Sequence, residues 1–293
     1  MIQGTIEAIH MNNPLQSHKL TQPGDIALMI SAQNKRFLIC LTPDSKLETH
    51  RGILQHNDLI NQSWGSRVLS HLGSPFLLLQ PSLADILMET RRNTQIMYPK
   101  DIGFIFITMG IGPGMHVLEA GTGSGSLTTA LAFATGSSGM VVSYDTRQDI
   151  QRLAQKNLER VGLSDRVSFK IRDIIDGFDE VDMDALFLDV PNPYDYLSQA
   201  RAALKPGGFF GSILPTTNQV SLLLVALKRE GFGFIDVCEV ILRYYKPVPE
   251  RLRPTDRMVA HTGYLIFARS TSDDMITPEF VPSPEDPPIP SSE

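Results

Sequence analysis

The sequence predicts an α/β fold in which a Rossmann-like, doubly wound sheet follows a small N-terminal β domain. Up to about residue 80, short apolar runs are separated by Asn-Pro, Pro-Gly and Thr-Pro turn signals. From about residue 100, strand and helix patterns alternate, which is typical of a parallel sheet covered by helices on both faces. We therefore divide the chain into a β domain at 1–80, an α/β domain at 81–270 and a tail at 271–293.

The β domain is predicted from three short strands, which indicate a small antiparallel barrel or sheet. These strands are Thr5–His10, Asp25–Ile30 and Arg36–Leu41. Five of the seven histidines fall in this region, but their scattered spacing matches no metal-binding pattern. The two cysteines, Cys40 and Cys238, are far apart, so the sequence predicts neither a disulfide framework nor a zinc site.

The α/β domain is predicted from seven strands and the helices between them. The strands are His116–Ala120, Met140–Tyr144, Val167–Ile171, Ala185–Leu188, Phe209–Leu214, Ile235–Leu242 and Thr262–Ala268. The helices are Leu127–Ala134, Asp149–Val161, Tyr196–Leu204 and Gln219–Arg229. Gly or Pro residues follow the last three helices and act as stop signals. Because the last two strands have no long helix between them, they can form an antiparallel hairpin at the sheet edge.

The composition indicates a soluble globular enzyme. Apolar residues make up 42% of the chain and charged residues 20%, and no apolar run approaches the ~18 residues of a membrane helix. The N-terminus lacks a signal-peptide pattern, so we expect a cytoplasmic protein. The tail is rich in Pro, Ser and acids and should be disordered. Its six acids account for the net charge of −6, and the charge-balanced remainder can still carry a local basic patch.

A glycine-rich loop follows the first strand of the α/β domain and predicts the cofactor. The strand His116–Ala120 leads into Gly121-Thr-Gly123-Ser-Gly125 and then into a helix. Glycines at such a turn let the backbone approach a ligand closely, and ligands of open α/β sheets bind beyond the carboxyl ends of the strands. The third glycine falls one residue earlier than in the GxGxxG pattern of dinucleotide sites. The acid Glu119 suits the cationic ammonium and sulfonium of S-adenosylmethionine.

Three further acids follow the carboxyl ends of predicted strands. Asp145 ends the second strand, where an acid can accept hydrogen bonds from both ribose hydroxyls, and Asp173 follows the third strand beside the expected adenine pocket. The alternative is that both residues only cap helices. Asp189 follows the fourth strand, and the nearby Pro191 and Pro193 predict a rigid rim at the active-site edge. Its alternative is a helix cap in a Pro-rich turn.

Four segments carry a resemblance to a known enzyme family. They are Thr94-Gln-Ile-Met-Tyr98-Pro-Lys-Asp101, Glu119-Ala-Gly-Thr-Gly-Ser-Gly125, Asp189-Val-Pro-Asn-Pro193 and Arg253-Pro-Thr-Asp-Arg-Met-Val-Ala-His261-Thr-Gly-Tyr264. On these segments, the chain resembles the bacterial and archaeal homo-oligomeric tRNA (adenine-58-N1)-methyltransferases over roughly residues 90–268. The first and last segments are far more specific than the glycine loop. One departure is Tyr194, where relatives commonly carry Trp.

The resemblance implies a class I methyltransferase that uses S-adenosylmethionine to methylate N1 of adenine 58 in tRNA and works as a homotetramer. It implies catalytic roles for Asp189 and for Tyr98, although plain packing is the alternative for Tyr98. No metal ligand is predicted. The predicted cofactor-binding residues are Gln95, Glu119, Gly121, Thr122, Gly123, Ser124, Gly125, Ser126, Leu127, Asp145, Arg147, Asp173 and Asp189.

A basic and aromatic run late in the chain is the predicted RNA contact. The run contains Arg243, Tyr244, Tyr245, Lys246, Arg251, Arg253 and Arg257, opposed by Glu250 and Asp256. Such a mixture suits phosphate attraction and base stacking, whereas an ordinary solvated edge is the alternative. Three rival functions stay open: a protein methyltransferase of the isoaspartyl-repair type, a non-catalytic RNA-binding subunit and a nicotinamide dehydrogenase.

Overall fold

The computed structural model of the protein describes residues 19–92 and 97–271. The predicted strand Thr5–His10, the cofactor residue Gln95 and nearly all of the predicted tail therefore lie outside the described residues. Within the described ranges, no helix is long and apolar enough to cross a membrane. Those ranges also contain no group of three or more His, Cys, Asp or Glu residues that could hold a metal ion, and both cysteines are free.

The N-terminal region forms an antiparallel β structure, as predicted. Its elements are β1 (Ile26–Ser31), β2 (Arg36–Cys40), β3 (Lys46–Thr49), β4 (Gly52–Gln55), the short helix α1 (His56–Leu59), β5 (Arg67–Leu69) and β6 (Pro75–Leu79). Four strands make one sheet in the order β2-β1-β6-β5, and β3 pairs with β4 in a separate hairpin. Phe76 and Leu78 alternate inward on β6 and pack with Met29 and Leu54 in a small apolar core.

Two helices connect this region to the larger sheet. They are α2 (Leu83–Met88) and α3 (Pro99–Thr108). Ser82 and Asp85 form a capping box at the start of α2, and Pro99 occupies the first turn of α3, where its missing N–H is not needed. Arg36 of β2 pairs with Asp85 at 2.5 Å, which ties the first sheet to α2.

The larger sheet has seven strands. These strands are β7 (His116–Ala120), β8 (Met140–Asp145), β9 (Val167–Ile171), β10 (Met183–Leu188), β11 (Leu204–Leu214), β12 (Phe232–Cys238) and β15 (Tyr264–Ser270). Two short strands, β13 (Tyr245–Lys246) and β14 (Arg253–Pro254), lie outside this sheet. The sheet order is β12-β15-β11-β10-β7-β8-β9. Neighbours from β11 to β9 run parallel, whereas β15 is antiparallel to both β11 and β12. The short strands β13 and β14 form a separate hairpin.

Helices cover both faces of the sheet, which confirms the doubly wound prediction. The helices are α4 (Ser126–Thr135), α5 (Gln148–Arg160), α6 (Leu197–Ala203) and α7 (Thr217–Arg229). One core cluster joins the sheet to α6 and α7, and a second joins it to α3, α4 and α5. Strand β10 serves both, because Leu186 and Leu188 face the first cluster while Ala185 and Phe187 face the second.

The structure corrects several element boundaries: β10 begins at Met183 and not at Ala185, β11 begins at Leu204 and not at Phe209, and β15 spans Tyr264–Ser270 instead of Thr262–Ala268. Strand β12 spans Phe232–Cys238 instead of Ile235–Leu242, because its ladder with β15 begins at Phe232 opposite Ser270 and ends at Cys238 opposite Leu265. The antiparallel hairpin of β12 and β15 forms as expected, with β15 inserted between β11 and β12. The division of the chain at residue 80 stays a prediction.

Candidate active site

A cavity of about 720 Å³ lies beyond the carboxyl ends of β7, β8, β10 and β11. The chain passes from β7 to β8 on one side and reaches β10 on the other, so the cavity lies at a topological switch point. Ligands of open α/β sheets bind at such points. The lining residues are Ala120, Gly121, Gly123, Tyr144, Asp145, Thr146, Arg147, Arg172, Asp173, Ile174, Asp189, Val190, Pro191, Asn192, Tyr196, Ile213, Pro215 and Gln219.

The glycine loop is shaped by contacts with neighbouring protein. Gly121 has a φ of +97°, and a Cβ at this position would lie 2.1 Å from the carbonyl oxygen of Asp189. At Gly125, with a φ of +82°, a Cβ would lie 2.9 Å from the Cβ of Ala154 on α5. Both positions therefore require glycine because protein atoms leave no room for a side chain. The predicted close approach of the loop backbone to a ligand stays a prediction.

Glu119 lies behind the loop, inside the protein. Its Oε2 accepts hydrogen bonds from the hydroxyls of Thr128 and Ser143, each at 2.6 Å, and the hydroxyl of Thr122 lies 2.7 Å from that of Ser143. Burial raises the pKa of Glu119 to about 8, against the lowering effect of the two hydroxyl donors. A neutral, buried acid of this kind holds β7, β8 and α4 together. Its predicted contact with the cofactor stays a prediction.

Asp145 presents its carboxylate at the end of β8. The side chain is 3% exposed, and its Oδ2 accepts a hydrogen bond from the backbone N–H of Gly123 at 3.2 Å. Arg147 donates from its backbone N–H and Nε to Oδ1, at 2.9 and 3.1 Å, and from Nη2 to Oδ2, at 3.1 Å. Burial alone would raise the pKa of Asp145, but these hydrogen bonds outweigh it and lower the pKa. The carboxylate is therefore charged at neutral pH.

Asp173 caps a turn and also faces the cavity, and its cofactor contact stays a prediction. Its Oδ1 accepts a hydrogen bond from the N–H of Ile175 at 3.0 Å, so it caps the short 3₁₀ turn Ile174–Asp176. The residue is also exposed to the cavity, with Ile174 beside it. A capping oxygen and a ligand-facing oxygen are compatible in one carboxylate, because each oxygen has its own acceptor positions.

Asp189 begins directly after β10 and is fixed through its backbone. Its N–H donates to the carbonyl of Ala120 at 2.8 Å, and its own carbonyl packs against Gly121. The residue is exposed to the cavity, and the surrounding protein partly desolvates its carboxyl group. This desolvation raises the pKa of Asp189 to about 6; Arg147 opposes the shift and Asp145 adds to it. The acid thus titrates within reach of neutral pH.

The rim after Asp189 is held by polar contacts. Gln219 of α7 donates from Nε2 to the carbonyl of Pro191 at 3.0 Å, and Asn192 donates to Asp195 at 2.6 Å. Pro193 begins a short 3₁₀ turn, as expected of a stiff segment. Tyr194 packs against the core cluster of α6 and α7 and does not line the cavity.

The family was established by comparison with known proteins. The tRNA methyltransferase complex GCD14 subunit family matches residues 76–252, and the TrmI-like N-terminal family matches residues 21–68. The chain belongs to the GCD14 subunit family. A relative from Methanocaldococcus jannaschii, named tRNA (adenine(57)-N(1)/adenine(58)-N(1))-methyltransferase TrmI, is 35% identical over 83% of this chain and 94% of its own length.

Two solved structures share the fold of this GCD14-family chain. The tRNA (m1A58) methyltransferase TrmI from Aquifex aeolicus has a TM-score of 0.72 and 34% identity, covering 86% of this chain and 98% of that structure. A SAM-dependent O-methyltransferase from Thermotoga maritima has a TM-score of 0.79 and 44% identity, covering 88% and 97%. These neighbours confirm the class I methyltransferase fold with an N-terminal β region.

Two distant family segments meet in one buried polar cluster, formed by Lys100, Asp101 and Thr262. Lys100 donates from Nζ to Asp101 Oδ1 at 2.8 Å, to the Thr262 hydroxyl at 2.6 Å and to the carbonyl of Val240 at 2.7 Å. Thr262 in turn donates to Asp101 Oδ2 at 2.8 Å. The Lys100 and Asp101 side chains are 6% and 0% exposed. The cluster therefore fastens the start of α3 to the residues before β15.

The predicted cofactor residues divide into two layers. The cavity wall includes Gly121, Gly123, Asp145, Arg147, Asp173 and Asp189. A layer behind it, which does not line the cavity, contains Glu119, Thr122, Ser124, Gly125, Ser126 and Leu127. This second layer holds the loop in place: the Ser126 hydroxyl donates to the carbonyl of Met97 at 3.3 Å, and Asn157 donates to the carbonyls of Ser124 and Arg91 at 2.9 and 2.8 Å. Cofactor contacts for all of these residues stay predictions.

Tyr98 lies away from the cavity lining, whereas several residues that the sequence did not single out belong to it. Tyr98 is half-buried at the start of α3 and does not line the cavity, so its catalytic role stays a prediction. Sequence reasoning missed Arg172, Ile174, Tyr196 and Ile213, which do line it. The rule that ligands lie at the carboxyl ends of strands could have found Arg172 and Ile213, because they stand at the ends of β9 and β11.

The basic and aromatic run lies on the surface around the β13–β14 hairpin. The side chains of Tyr244 and Tyr245 are exposed, as are those of Arg251 and Arg253. Lys246 pairs with Asp256 at 2.5 Å, which joins the two sides of the hairpin. The hairpin thus presents aromatic rings and cations to solvent together.

Proposed function

We propose that this protein transfers a methyl group from S-adenosylmethionine to N1 of adenine 58, in the TΨC loop of tRNA. The observation that carries the proposal is Asp189, an acid open to the switch-point cavity whose backbone is locked to the glycine loop. The names of the M. jannaschii and A. aeolicus relatives supply the base and the position on it. A homotetramer, which the family resemblance implies, and a cytoplasmic location belong to the same proposal.

The residues of the cavity fit the proposed cofactor. Asp145 offers a charged carboxylate for ribose hydroxyls, and Ile174, Tyr196 and Ile213 offer apolar surface for an adenine ring. Asp189 adds negative charge, which suits a ligand with an ammonium and a sulfonium group. When bound, S-adenosylmethionine supplies an electrophilic methyl group.

Asp189 has two tasks toward the acceptor base. N1 of adenine carries a lone pair and no proton, so methyl transfer to it needs no general base. The methylated base is a cation. A fixed carboxylate that accepts a hydrogen bond from the exocyclic amine orients the ring and stabilises the positive charge as it develops. Above a pH of about 6, Asp189 is ionised and can perform both tasks.

The RNA must expose its target base. N1 lies on the Watson–Crick edge, so the adenine has to be unpaired or extruded, at a cost of a few kcal/mol. Contacts elsewhere must offset that cost. The β13–β14 hairpin is the proposed contact, since cations attract phosphates and exposed tyrosines can stack on bases.

The second candidate is transfer to an oxygen atom, because the T. maritima neighbour at 44% identity is described as an O-methyltransferase. Methylation of an isoaspartyl peptide is the form of this candidate raised by the sequence. A non-catalytic subunit is disfavoured, because the glycine loop, Asp145 and Asp189 are all present and assembled around one cavity.

The deciding experiment is methylation of an unmodified tRNA transcript, followed by digestion and nucleoside mass spectrometry. We expect N1-methyladenosine, and we expect it to disappear when the transcript carries guanine at position 58. The Asp189→Ala protein serves as the matched control for contaminating activity. Label in 2′-O-methylnucleosides, in another base or in an aged peptide would contradict the proposal.

A further inference from the structure

The hydrogen bonds between Arg147 and Asp145 determine which positions on Asp145 a nucleoside can use. Asp145 accepts four hydrogen bonds: two come from backbone N–H groups, of Gly123 and Arg147, and two from the Arg147 guanidinium. A carboxylate has about four acceptor positions, so all of them are used. A ribose diol that donates two hydroxyls to Asp145 therefore needs two of these positions.

The two kinds of donor differ in how easily they can leave. The backbone donors belong to the glycine loop and to the residue preceding α5, and both are fixed by the fold. The Arg147 side chain is 53% exposed and reaches Asp145 from the cavity wall. Because ion pairs with an exposed partner contribute little free energy, the guanidinium can move into solvent at small cost.

From this division we propose that Arg147 is a displaceable counter-ion, whose guanidinium occupies the ribose-binding face of Asp145 and gives it up when a nucleoside binds. The inference rests on the proposed function, because it concerns the ribose of an adenosine-containing cofactor. It assigns Arg147 a role opposite to that of a direct cofactor ligand. The guanidinium keeps Asp145 charged and aligned between turnovers, and the backbone donors keep it aligned afterwards.

Competition of this kind makes a distinctive prediction. Removing the guanidinium removes the competitor, so Arg147→Ala should bind S-adenosylhomocysteine roughly two- to fivefold more tightly than the wild type, the range expected for one partly exposed ion pair. The gain should require the ribose diol. With 2′,3′-dideoxyadenosine, the wild type and Arg147→Ala should bind equally.

The experiment is isothermal titration of both ligands into the wild type, Arg147→Ala, Arg147→Met and Arg172→Ala. Arg172 also lines the cavity, but its guanidinium pairs with Asp179 and the carbonyl of Asp176, so its removal tests the effect of cavity charge alone. S-adenosylhomocysteine has no net charge, which limits that effect further. Melting curves confirm that each variant is folded, and Arg147→Met keeps the side-chain length if the alanine variant is unstable.

Tighter, diol-dependent binding by the Arg147 variants, and not by Arg172→Ala, is the expected result. Weaker binding by both Arg147 variants would overturn the inference, because Arg147 would then contact the cofactor directly. Equal tightening by Arg172→Ala, or a gain that persists with the dideoxy ligand, would also overturn it in favour of general electrostatics. Failure of the wild type to bind S-adenosylhomocysteine at all would instead contradict the proposed function.

Discussion

Two pairs of opposite charges in this protein have contrasting surroundings. The pair of Lys100 and Asp101 is sealed, and Thr262 closes it into a ring in which each polar group has a partner. The pair of Arg147 and Asp145 has one buried and one exposed member, and it borders the cavity. The sealed pair fastens elements together, whereas the open pair can exchange its partner. The two pairs therefore differ in the solvent exposure of one charged side chain. A pair with an exposed member can open for a ligand, whereas a pair with both members buried only stabilises the fold.

The largest expected effect comes from breaking the sealed pair. Lys100→Met leaves Asp101 charged without its cation in a buried position, which should lower the free energy of unfolding by about 3–5 kcal/mol. Chemical denaturation measures this loss. The double variant Lys100→Met/Asp101→Leu should recover most of it, because no unpaired charge remains.

Lys46 provides the matched control for that experiment. It pairs with Glu48 on the surface, and both side chains are more than half exposed. Lys46→Met should leave the melting temperature nearly unchanged, because exposed ion pairs contribute little. A Lys100 variant as stable as the Lys46 variant would show that the buried cluster is not a clamp.

Asp189→Ala should give the next largest effect, on catalysis and not on folding. Loss of one charged transition-state contact is expected to lower kcat by about 10²–10³. The Kd for S-adenosylhomocysteine should stay near the wild-type value, because the backbone contacts of residue 189 with Ala120 and Gly121 do not need the carboxylate. Asp189→Asn keeps an acceptor for the amine without the charge and should fall between the two. An alanine variant that keeps cofactor affinity and turns over within about threefold of wild type, far short of that factor, would refute the assignment.

The sequence predicted the part of the site that obeys local rules. Asp145 and Asp189 follow apolar strands, and the carboxyl-end rule brings them to one cavity without knowledge of any side-chain contact. Strands β7 and β9 were predicted with the right bounds, because turn signals or polar residues border their apolar runs. Helix α3 has no counterpart among the predicted helices, because its segment enters the prediction only through the family resemblance.

Contacts between distant residues could not be predicted in this way. Lys100 also donates to Thr262, 162 residues later, and their meeting depends on β15 inserting between β11 and β12. The burial of Glu119 likewise depends on packing against β8 and α4, which its position in the sequence does not reveal. A sequence pattern predicts where a strand ends. Whether a side chain lines the cavity or lies behind it depends on the packing of the whole fold.

The pH dependence of the reaction tests the role of the Asp189 carboxylate more finely. The pKa of Asp189 is raised to about 6, and its charged form is the one that stabilises the product cation. The value of kcat/KM should therefore be constant above this pH and fall about tenfold per pH unit below it. A nearby sulfonium favours the carboxylate, so the kcat profile should turn at a lower pH than the kcat/KM profile. Asp189→Asn should lose this limb; an unchanged limb in that variant would assign it to another group.

The smallest expected effect concerns the buried side chain of His56. His56 is buried in the N-terminal region, where its Nδ1 accepts a hydrogen bond from the N–H of Thr42 at 3.0 Å. Its Nε2 is buried and has no hydrogen-bond partner among the described residues.

Burial lowers the pKa of His56 below its usual 6.5. The unfolded chain therefore takes up a proton near pH 6.5 while the folded protein does not, so stability is full above pH 6.5 and declines as the pH falls toward the folded pKa. His56→Gln retains an acceptor for Thr42 but cannot titrate. Its melting temperature should decline less than that of the wild type between pH 7 and pH 5.5, a window in which His is the side chain that ordinarily titrates. Parallel curves for the two proteins would show that His56 is protonated as readily in the folded state as in the unfolded one, and hence that its ring is not sealed from water.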